Sequence, residues 1–287
     1  FLIPVAPLEG LVSAEEVALD KSNFVTIPFE GTDGLDIHYL IDGEATDGAP
    51  TFVLLHGSAF NAFTWNEVMD YFGKEGQVIA YDQIPYGLSE KPLEGDWSGE
   101  NPYTPKAAVD QLFLFLDELD VDNVILVGNS YGGTLATRAT LARPERVDGL
   151  IFVDAAVYVE ESMPSWLLNS PQMQRLGPVL AREIGASKAF VESTYMSPAQ
   201  ISDERMALTT ITSKVENWDT AFWEYLQVWD QADEYLDRIP EIQQPSLVVS
   251  GDSDMIVPVS DSERLNSELP NSELFIIPSC GHVPQEE

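Results

Sequence analysis

A serine between two glycines is the residue of this sequence best suited to act as a nucleophile. Ser130 lies in the pattern G-N-S-Y-G of residues 128–132, directly after the apolar run 124–127. The run predicts a buried strand, and the glycines predict a turn into a helix so sharp that the serine hydroxyl is held outward. At the start of that helix the backbone N–H of Tyr131 would face a developing negative charge. The alternative interpretation is a serine that only caps the helix.

A serine nucleophile needs a base, and histidine most often fills that role. The chain has three histidines. His38 lies in an alternating strand pattern, which favours a structural role, and His56 ends a short apolar run. His282 follows the strand pattern 274–277 in a loop rich in proline and glycine. Catalytic groups gather on loops at the ends of buried strands, so elimination and context both indicate His282 as the base.

An acid must in turn hold the base in the right tautomer. Asp254 follows the buried strand pattern 247–250, and the chain between it and His282 has room for one helix and one strand. The two residues would then lie at neighbouring strand ends. Asp154 also ends a strand pattern and is the rival acid, although we favour Asp254.

Five short segments, taken in order, resemble the α/β-hydrolase superfamily and span nearly the whole chain. They are His56-Gly57, 82–89, 128–133, 251–254 and Gly281-His282. The resemblance implies Ser130 as nucleophile, Asp254 as acid and His282 as base. It also implies a second oxyanion donor after the His-Gly pair, the backbone N–H of Ser58 or Ala59. A serine nucleophile argues against the haloalkane dehalogenase and epoxide hydrolase branches, which use aspartate.

The elements around these residues alternate between strand and helix patterns. Such alternation predicts a mostly parallel, doubly wound sheet of the α/β class, here with the α/β-hydrolase fold that the resemblance implies. Helix patterns cover 61–71, with Tyr71 inward, and 105–119. Strand patterns outside the segments above cover 24–29 and 35–41, as an opening hairpin, and 51–56, 77–81 and 149–154.

Beyond Asp154 the alternation stops, and helix patterns interrupted by proline run from 155 to 240. We therefore expect a hydrolase core formed by 1–154 and 241–287, with 155–240 inserted as a helical cap, or lid. Most tryptophans of the insertion are interpreted as packing residues, and the others should line an apolar pocket over Ser130. The residues expected to line this pocket are His56, Phe60, Trp166 and Trp223.

The chain carries 48 acidic and 14 basic residues, a formal net charge of −34. This balance excludes nucleic acid as a partner, because phosphate binding depends on Lys and Arg, and it argues against adsorption to anionic lipid. The acidic residues are scattered, which indicates a solvated surface. Two explanations stay open, adaptation to high salt and simple solubility.

No run approaches the ~18 apolar residues of a membrane helix, so we expect no stable membrane insertion of this segment. Residues 1–7 are interpreted either as an arm lying on the core or as the stub after a signal or anchor. A similar opening in some bacterial hydrolases slightly favours an extracytoplasmic location over a cytoplasmic one. The single Cys280 excludes an intrachain disulfide. The sequence shows no phosphate loop, metal-ligand cluster or nucleotide fingerprint, so no cofactor or metal is implied.

The resemblance implies a serine hydrolase, and we favour a carboxylesterase acting on small-molecule esters with apolar or aromatic groups. A carbon–carbon bond hydrolase of ring-cleavage products stays open, because Gly-Asn-Ser-x-Gly-Gly also resembles that branch. Against it, Val283 follows the histidine where that branch usually has tryptophan. A cofactor-free perhydrolase is a further alternative. A non-catalytic binding protein on a hydrolase scaffold is the alternative from another class, and an intact triad disfavours it.

Overall fold

The structure, a computed structural model, describes residues 8–46, 48–158, 168, 170–229 and 235–287. Its strands are β1 (Asn23–Ile27), β2 (Leu35–Asp42), β3 (Thr51–Leu55), β4 (Gln77–Tyr81), β5 (Val124–Asn129), β6 (Val147–Val153), β7 (Ser246–Gly251) and β8 (Ser272–Ile277). They form one sheet in the order β1-β2-β4-β3-β5-β6-β7-β8. Among the strands of the described residues, only β2 runs antiparallel to its neighbours, β1 and β4. The predicted hairpin and mostly parallel sheet are confirmed.

Helices alternate with the strands up to β6, and this alternation confirms the predicted α/β class. The α-helices of the described residues are α1 (Ala14–Val17), α2 (Met69–Phe72), α3 (Pro105–Glu118), α4 (Tyr131–Ala142), α5 (Pro171–Gly185), α6 (Lys188–Thr194), α7 (Asp203–Thr209), α8 (Trp218–Leu226) and α9 (Val259–Glu268). Short 3-10 helices cover Ala62–Trp65, Pro144–Arg146, Pro198–Gln200, Ile211–Lys214 and Leu236–Glu241.

The central strands are buried on both faces because their side chains alternate between two apolar clusters. In β3, Val53 and Leu55 belong to the cluster that contains most of the buried face of α3. Phe52 and Leu54 point the other way and pack with Trp65. Covering both faces leaves the carboxyl ends of the parallel strands as the place where loops can form a site.

The helix predicted over 61–71 is wrong. The chain instead makes the 3-10 helix Ala62–Trp65 and then the single turn of α2, and Tyr71 is 68% exposed. Asn61 caps the start of the 3-10 helix, because its side-chain oxygen accepts from the backbone N–H of Phe63, while its amide donates to two backbone carbonyls of α7. Bonds to such a distant segment cannot be predicted from a local pattern.

The described chain between β6 and β7 is built from α5 to α8 and short 3-10 turns. Helices α5 and α8 pack closely, since a Cβ added at Gly177 would lie 1.9 Å from the Trp223 ring. Hydrogen bonds join this segment to the sheet. Thr212 Oγ1 accepts from Gly87 N at 2.8 Å, and the Thr194 carbonyl accepts from the backbone N–H of the loop after β8 at 2.7 Å. The segment therefore contacts the loops at the carboxyl end of the sheet.

Acidic side chains outnumber basic ones so strongly that one basic residue often faces two carboxylates. Lys106 lies 2.9 Å from Glu100 and 2.7 Å from Asp110. Arg205 likewise lies between two glutamates. With 48 acidic and 14 basic residues in the chain, most carboxylates must repel like charges rather than form ion pairs.

We expect the thermal midpoint of unfolding to rise as sodium or potassium chloride increases from dilute to molar concentration. Screening shortens the Debye length from about 10 Å at 0.1 M to about 3 Å at 1 M, which weakens the repulsion among exposed carboxylates. Chloride is the appropriate anion, because sulfate strengthens apolar burial in any protein. A midpoint that stays flat would leave the net charge of −34 without a role in stability and would favour the solubility explanation.

Candidate active site

Ser130 occupies a sharp turn between β5 and α4, as predicted. Its backbone angles, φ 52° and ψ −121°, lie in a region that residues with a side chain rarely adopt. Glycine is required nearby, because a Cβ at Gly132 would lie 2.1 Å from the Leu55 carbonyl oxygen. The Ser130 hydroxyl makes no capping hydrogen bond to α4. The alternative interpretation, a serine that only caps the helix, is therefore wrong.

Asn129, the last residue of β5, ties the serine turn to the loop that carries His282. Its side-chain amide donates to the carbonyl oxygens of Val153 and His282, each at 3.0 Å. The backbone N–H of Ser130 donates to the same Val153 carbonyl at 3.1 Å. Asn129 was not among the predicted site residues, although a polar residue at the end of a buried strand was the available signal.

His282 and Asp254 form the hydrogen bond expected of a base and its acid. The His282 Nδ1 atom lies 2.7 Å from Asp254 Oδ2, and their side chains are 4% and 0% exposed. Asp254 Oδ1 accepts from the backbone N–H groups of Ile256 and Val257. An ionised carboxylate can only accept, so Nδ1 carries the proton and Nε2 keeps a lone pair for a proton from a nucleophile.

The rival acid, Asp154, is placed differently. It is fully buried at the end of β6, and its Oδ1 accepts from Ser250 Oγ at 2.9 Å and Gly251 N at 3.0 Å. The structure pairs His282 with Asp254 instead. The geometry therefore supports the assignment of Asp254 as the acid.

The loop after β3 approaches the serine turn closely. A Cβ at Gly57 would lie 2.8 Å from the Ser130 Cβ, so this position needs glycine. Ala59 has a φ of 64°, and the loop closes with a 3.1 Å bond from Phe60 N to the Gly57 carbonyl. Ser58 and Ala59 thus directly follow the glycine that approaches Ser130, and Tyr131 begins α4 directly after Ser130.

Buried aromatic rings lie beside this loop and the serine turn. The Tyr86 ring contacts Phe222 and Tyr225 of α8, and Tyr225 contacts Tyr131 in turn. The Tyr86 and Tyr225 hydroxyls lie next to Ser58. Tyr86 was not among the predicted pocket residues, because its approach to α8 depends on how the insertion packs.

His56 does not offer a polar group to a pocket. The ring is completely buried, its Nδ1 donates to the Gly57 carbonyl at 2.8 Å, and its Nε2 accepts from Gln83 N at 3.0 Å. Burial lowers the pKa of His56 and keeps the ring neutral. Because both nitrogens are bonded to backbone, His56 orders the loop after β3 and has no ring nitrogen left for a substrate.

The other three predicted pocket residues have separate environments. Phe60 is buried in a small cluster with Val191, Tyr195, Met206 and Val283. Trp223 is 3% exposed and packs within the insertion against α5. Trp166 lies outside the described residues. The pocket assignment of Phe60, Trp166 and Trp223 stays a prediction.

His38 of β2 and Asp82, which directly follows β4, form a buried pair. His38 Nδ1 lies 2.7 Å from Asp82 Oδ2, and Asp82 also accepts from the backbone N–H groups of Ala62 and Leu88. Burial would raise the pKa of Asp82, but His38 and the backbone donors outweigh it and hold the pKa below its usual value. His38 therefore has the structural role predicted from its strand pattern, and Asp82 fixes two loops near the site.

The described residues contain neither a membrane-spanning helix nor a cluster of metal ligands. None of the helices within these ranges has the length and apolar character needed to cross a bilayer. Within the same ranges, no group of three or more His, Cys, Asp or Glu side chains is arranged to hold a metal ion.

Residues 50–287 match the family model described as the alpha/beta hydrolase fold. This chain belongs to the alpha/beta hydrolase family. The match covers the serine turn and both loops that carry Asp254 and His282, and hydrolase activity is the property that family membership supports.

This alpha/beta hydrolase is 30% identical to proline iminopeptidase of Lactobacillus delbrueckii subsp. lactis, over 85% of the chain and 87% of that protein. It is 29% identical to the 2-hydroxy-6-oxononadienedioate/2-hydroxy-6-oxononatrienedioate hydrolase of Paraburkholderia xenovorans (strain LB400), over 93% of the chain and 90% of that protein. The solved structure of Est816, described as an N-acyl homoserine lactone degrading enzyme, matches with a TM-score of 0.66 and 25% identity, over 91% and 95%. The names of these three proteins refer to different substrates.

Proposed function

We propose that the protein is a serine hydrolase that cleaves carboxylic esters with small apolar or aromatic groups. The observation that carries the proposal is the 2.7 Å bond between His282 Nδ1 and Asp254 Oδ2, together with the strained turn at Ser130. Strain of this kind persists where the surrounding structure enforces it, and it often marks a reacting group. The three residues supply the nucleophile, base and acid that ester hydrolysis needs.

The chemistry would proceed in two steps. The Ser130 oxygen attacks the ester carbonyl while His282 Nε2 takes the hydroxyl proton, and the oxyanion rests on backbone N–H groups of Tyr131 and of Ser58 or Ala59. The alcohol leaves with the proton from His282, which creates an acyl-enzyme. Water then gives its proton to His282 and attacks the acyl carbon, releasing the acid and restoring Ser130.

Three observations favour neutral esters as substrates. Rings of Tyr86, Tyr131 and Tyr225 lie together beside the serine turn, which suits an apolar or aromatic group. The net charge of −34 repels anionic substrates. The structurally similar Est816 is described as a lactone-degrading enzyme, and a lactone is a cyclic ester.

A panel of substrates tests this specificity. We expect kcat/KM for phenyl acetate and for p-nitrophenyl acetate and butyrate to exceed that for a vinylogous diketo acid and for proline p-nitroanilide by on the order of a hundred-fold. Every assay is repeated with Ser130→Ala, so that reaction without the enzyme is subtracted. Faster turnover of the diketo acid or the anilide than of any ester would contradict the ester assignment.

Carbon–carbon bond hydrolysis is the second candidate. The similarity to the hydrolase of Paraburkholderia xenovorans (strain LB400), at 29% identity over 93% of the chain, favours it. Against it, Val283 follows His282 and is fully buried beside Phe60, so this position offers no aromatic ring. The named substrate of that relative is a dioate, and the acidic surface of this protein would repel such a dianion.

We also propose that the insertion 155–240 acts as a lid over the site, with the remaining chain as the hydrolase core. Its contacts support this role. The backbone N–H of His282 donates to the Thr194 carbonyl, and Tyr225 of α8 lies against Tyr86 and Tyr131. A lid in this position would exclude water and shape the acyl or alcohol pocket.

A further inference from the structure

Two aspartates, Asp154 and Asp254, follow neighbouring strands of the sheet, although the proposed chemistry uses only Asp254. Strands β6 and β7 are parallel, with Val153 opposite Val249, so the residues that follow them meet at the same sheet edge. The backbone N–H of Asp154 donates to the Val249 carbonyl at 2.9 Å. This bond fixes Asp154 beside the loop that carries Asp254.

The hydrogen bonds of the two carboxyl groups differ. Asp254 accepts with both oxygens, Oδ2 from the imidazole of His282 and Oδ1 from two backbone N–H groups. Asp154 accepts with Oδ1 only, from Ser250 and Gly251. Its Oδ2 is buried with no donor among the described residues. The Asp254 side chain is near enough to interact with the Asp154 carboxyl group. Three donors stabilise the charge on Asp254, whereas the second oxygen of Asp154 has none.

Two ionised carboxylates are both acceptors and cannot hydrogen-bond to each other. A bond between them forms only if one carries a proton, and the unpaired Oδ2 of Asp154 is the atom that can carry it. We propose that Asp154 is a positioning residue of the candidate active site, whose protonated Oδ2 donates a hydrogen bond to the Asp254 carboxylate. This inference rests on the proposed serine-hydrolase function for its catalytic consequence.

The surroundings of Asp154 support a neutral side chain. Burial, followed by the negative charge of Asp254, raises the pKa of Asp154 to about 8, although the Gly251 and Ser250 donors oppose the rise. The other titratable group that faces it from the described loops is the Cys280 thiol, which is neutral because burial raises its pKa to about 12. His282 bonds to Asp254, not to Asp154, among the described contacts. At neutral pH Asp154 therefore keeps its proton.

This arrangement has a consequence for catalysis. The donated proton holds Asp254 in the orientation that its bond to His282 requires, without adding a second charge. When Asp154 ionises, like charges meet in a buried site and Asp254 is pushed from its position. We expect kcat/KM to fall as pH rises through about 8.

Asp154→Asn and Asp154→Gly separate this role from simple packing. Asp154 has a φ of 42°, a conformation that both asparagine and glycine accept, so neither variant strains the turn. Asparagine keeps an uncharged donor toward Asp254 and an acceptor for Ser250, and we expect it to retain activity close to wild type at neutral pH. Glycine removes both, and we expect kcat to fall about ten-fold, as is typical when a supporting hydrogen-bond partner of a site is lost.

The pH profile and the infrared spectrum give readouts that packing alone would not change. The alkaline fall in kcat/KM should disappear in Asp154→Asn and move to higher pH in Ser250→Ala, which removes a donor that favours the ionised form. Lys91, whose pKa burial lowers to about 7, is kept in both variants, so its titration cannot explain a difference. The wild type minus Asp154→Asn difference spectrum should show the carbonyl band of a protonated carboxylic acid.

The pH dependence of the free energy of unfolding tests the protonation of Asp154 without depending on turnover. The native pKa of about 8 exceeds the ordinary value of 3.8, so the native state binds the proton more tightly than the unfolded state does between these limits. The free energy of unfolding of the wild type should therefore fall, relative to Asp154→Asn, as pH rises through that window.

Three results would overturn the proposal: no carboxylic-acid band, an alkaline fall that is absent from the wild type or persists in Asp154→Asn, or equal damage by asparagine and glycine. The infrared and unfolding measurements do not depend on turnover. They therefore distinguish failure of this inference from failure of the proposed function, which would appear as activity that survives Ser130→Ala.

Discussion

Ser130→Ala is expected to reduce kcat for ester hydrolysis by ~10^4–10^6-fold while leaving the fold intact. The change removes one oxygen, the one that would attack the carbonyl, and the Ser130 hydroxyl makes no capping bond to α4 that folding would miss. Residual turnover should come from substrate binding and the oxyanion donors alone. Steady-state kinetics on the best ester of the panel, with circular dichroism to check folding, measures the loss.

Ser98→Ala is the matched control for this experiment. Ser98 is exposed and bonds only weakly to the Gly31 carbonyl, at 3.3 Å, so the same chemical change there should leave kcat unaltered. Turnover of purified Ser130→Ala at the wild-type rate would end the serine-hydrolase interpretation.

Asp254→Asn is expected to lower kcat by ~10^4-fold, the second largest effect. The amide of asparagine would donate to Nδ1 of His282, which forces the ring proton onto Nε2. That nitrogen could then no longer accept the serine proton, although the shape of the site would be almost unchanged. The KM should change much less than kcat, because the substituted group does not touch the substrate.

Asp252→Asn and Asp154→Asn are the controls for this loss. Asp252 lies two residues away on the same loop and is exposed, with bonds to Ser253 and Ser279 but none to His282 among the described contacts. Both controls should keep most of the activity. A larger loss from Asp154→Asn than from Asp254→Asn would move the acid to the end of β6.

The sequence was sufficient to predict those features that depend on local patterns and their order. Apolar runs marked the buried strands, and the glycines around Ser130 indicated a turn that the structure confirms at φ 52°. The positions of Asp254 and His282 after neighbouring strands favoured their pairing, because parallel strands bring their carboxyl ends to one edge. Asp154 stayed open as the rival acid, and the structure bonds His282 to Asp254.

Features that depend on contacts between distant segments could not be predicted in this way. Asn61 caps a 3-10 helix and bonds to α7, and Asn129 bonds across to the His282 loop. His56 has the right residue type for a pocket, yet backbone groups occupy both of its nitrogens. The role of Asp154 depends on the distribution of donors between two carboxyl groups, which a sequence does not show.

Labelling with a fluorophosphonate tests most directly whether Ser130 is an activated nucleophile. The serine oxygen displaces fluoride and forms a stable phosphonate ester, so intact-mass and peptide analysis reports both the number of adducts and their position. We predict one adduct per chain on the peptide that contains Ser130, no adduct in Ser130→Ala, much slower labelling of Asp254→Asn, and labelling of Ser98→Ala at the wild-type rate. A wild-type protein that hydrolyses esters but takes no label at Ser130, or a Ser130→Ala protein that labels as fast as the wild type, would contradict the account.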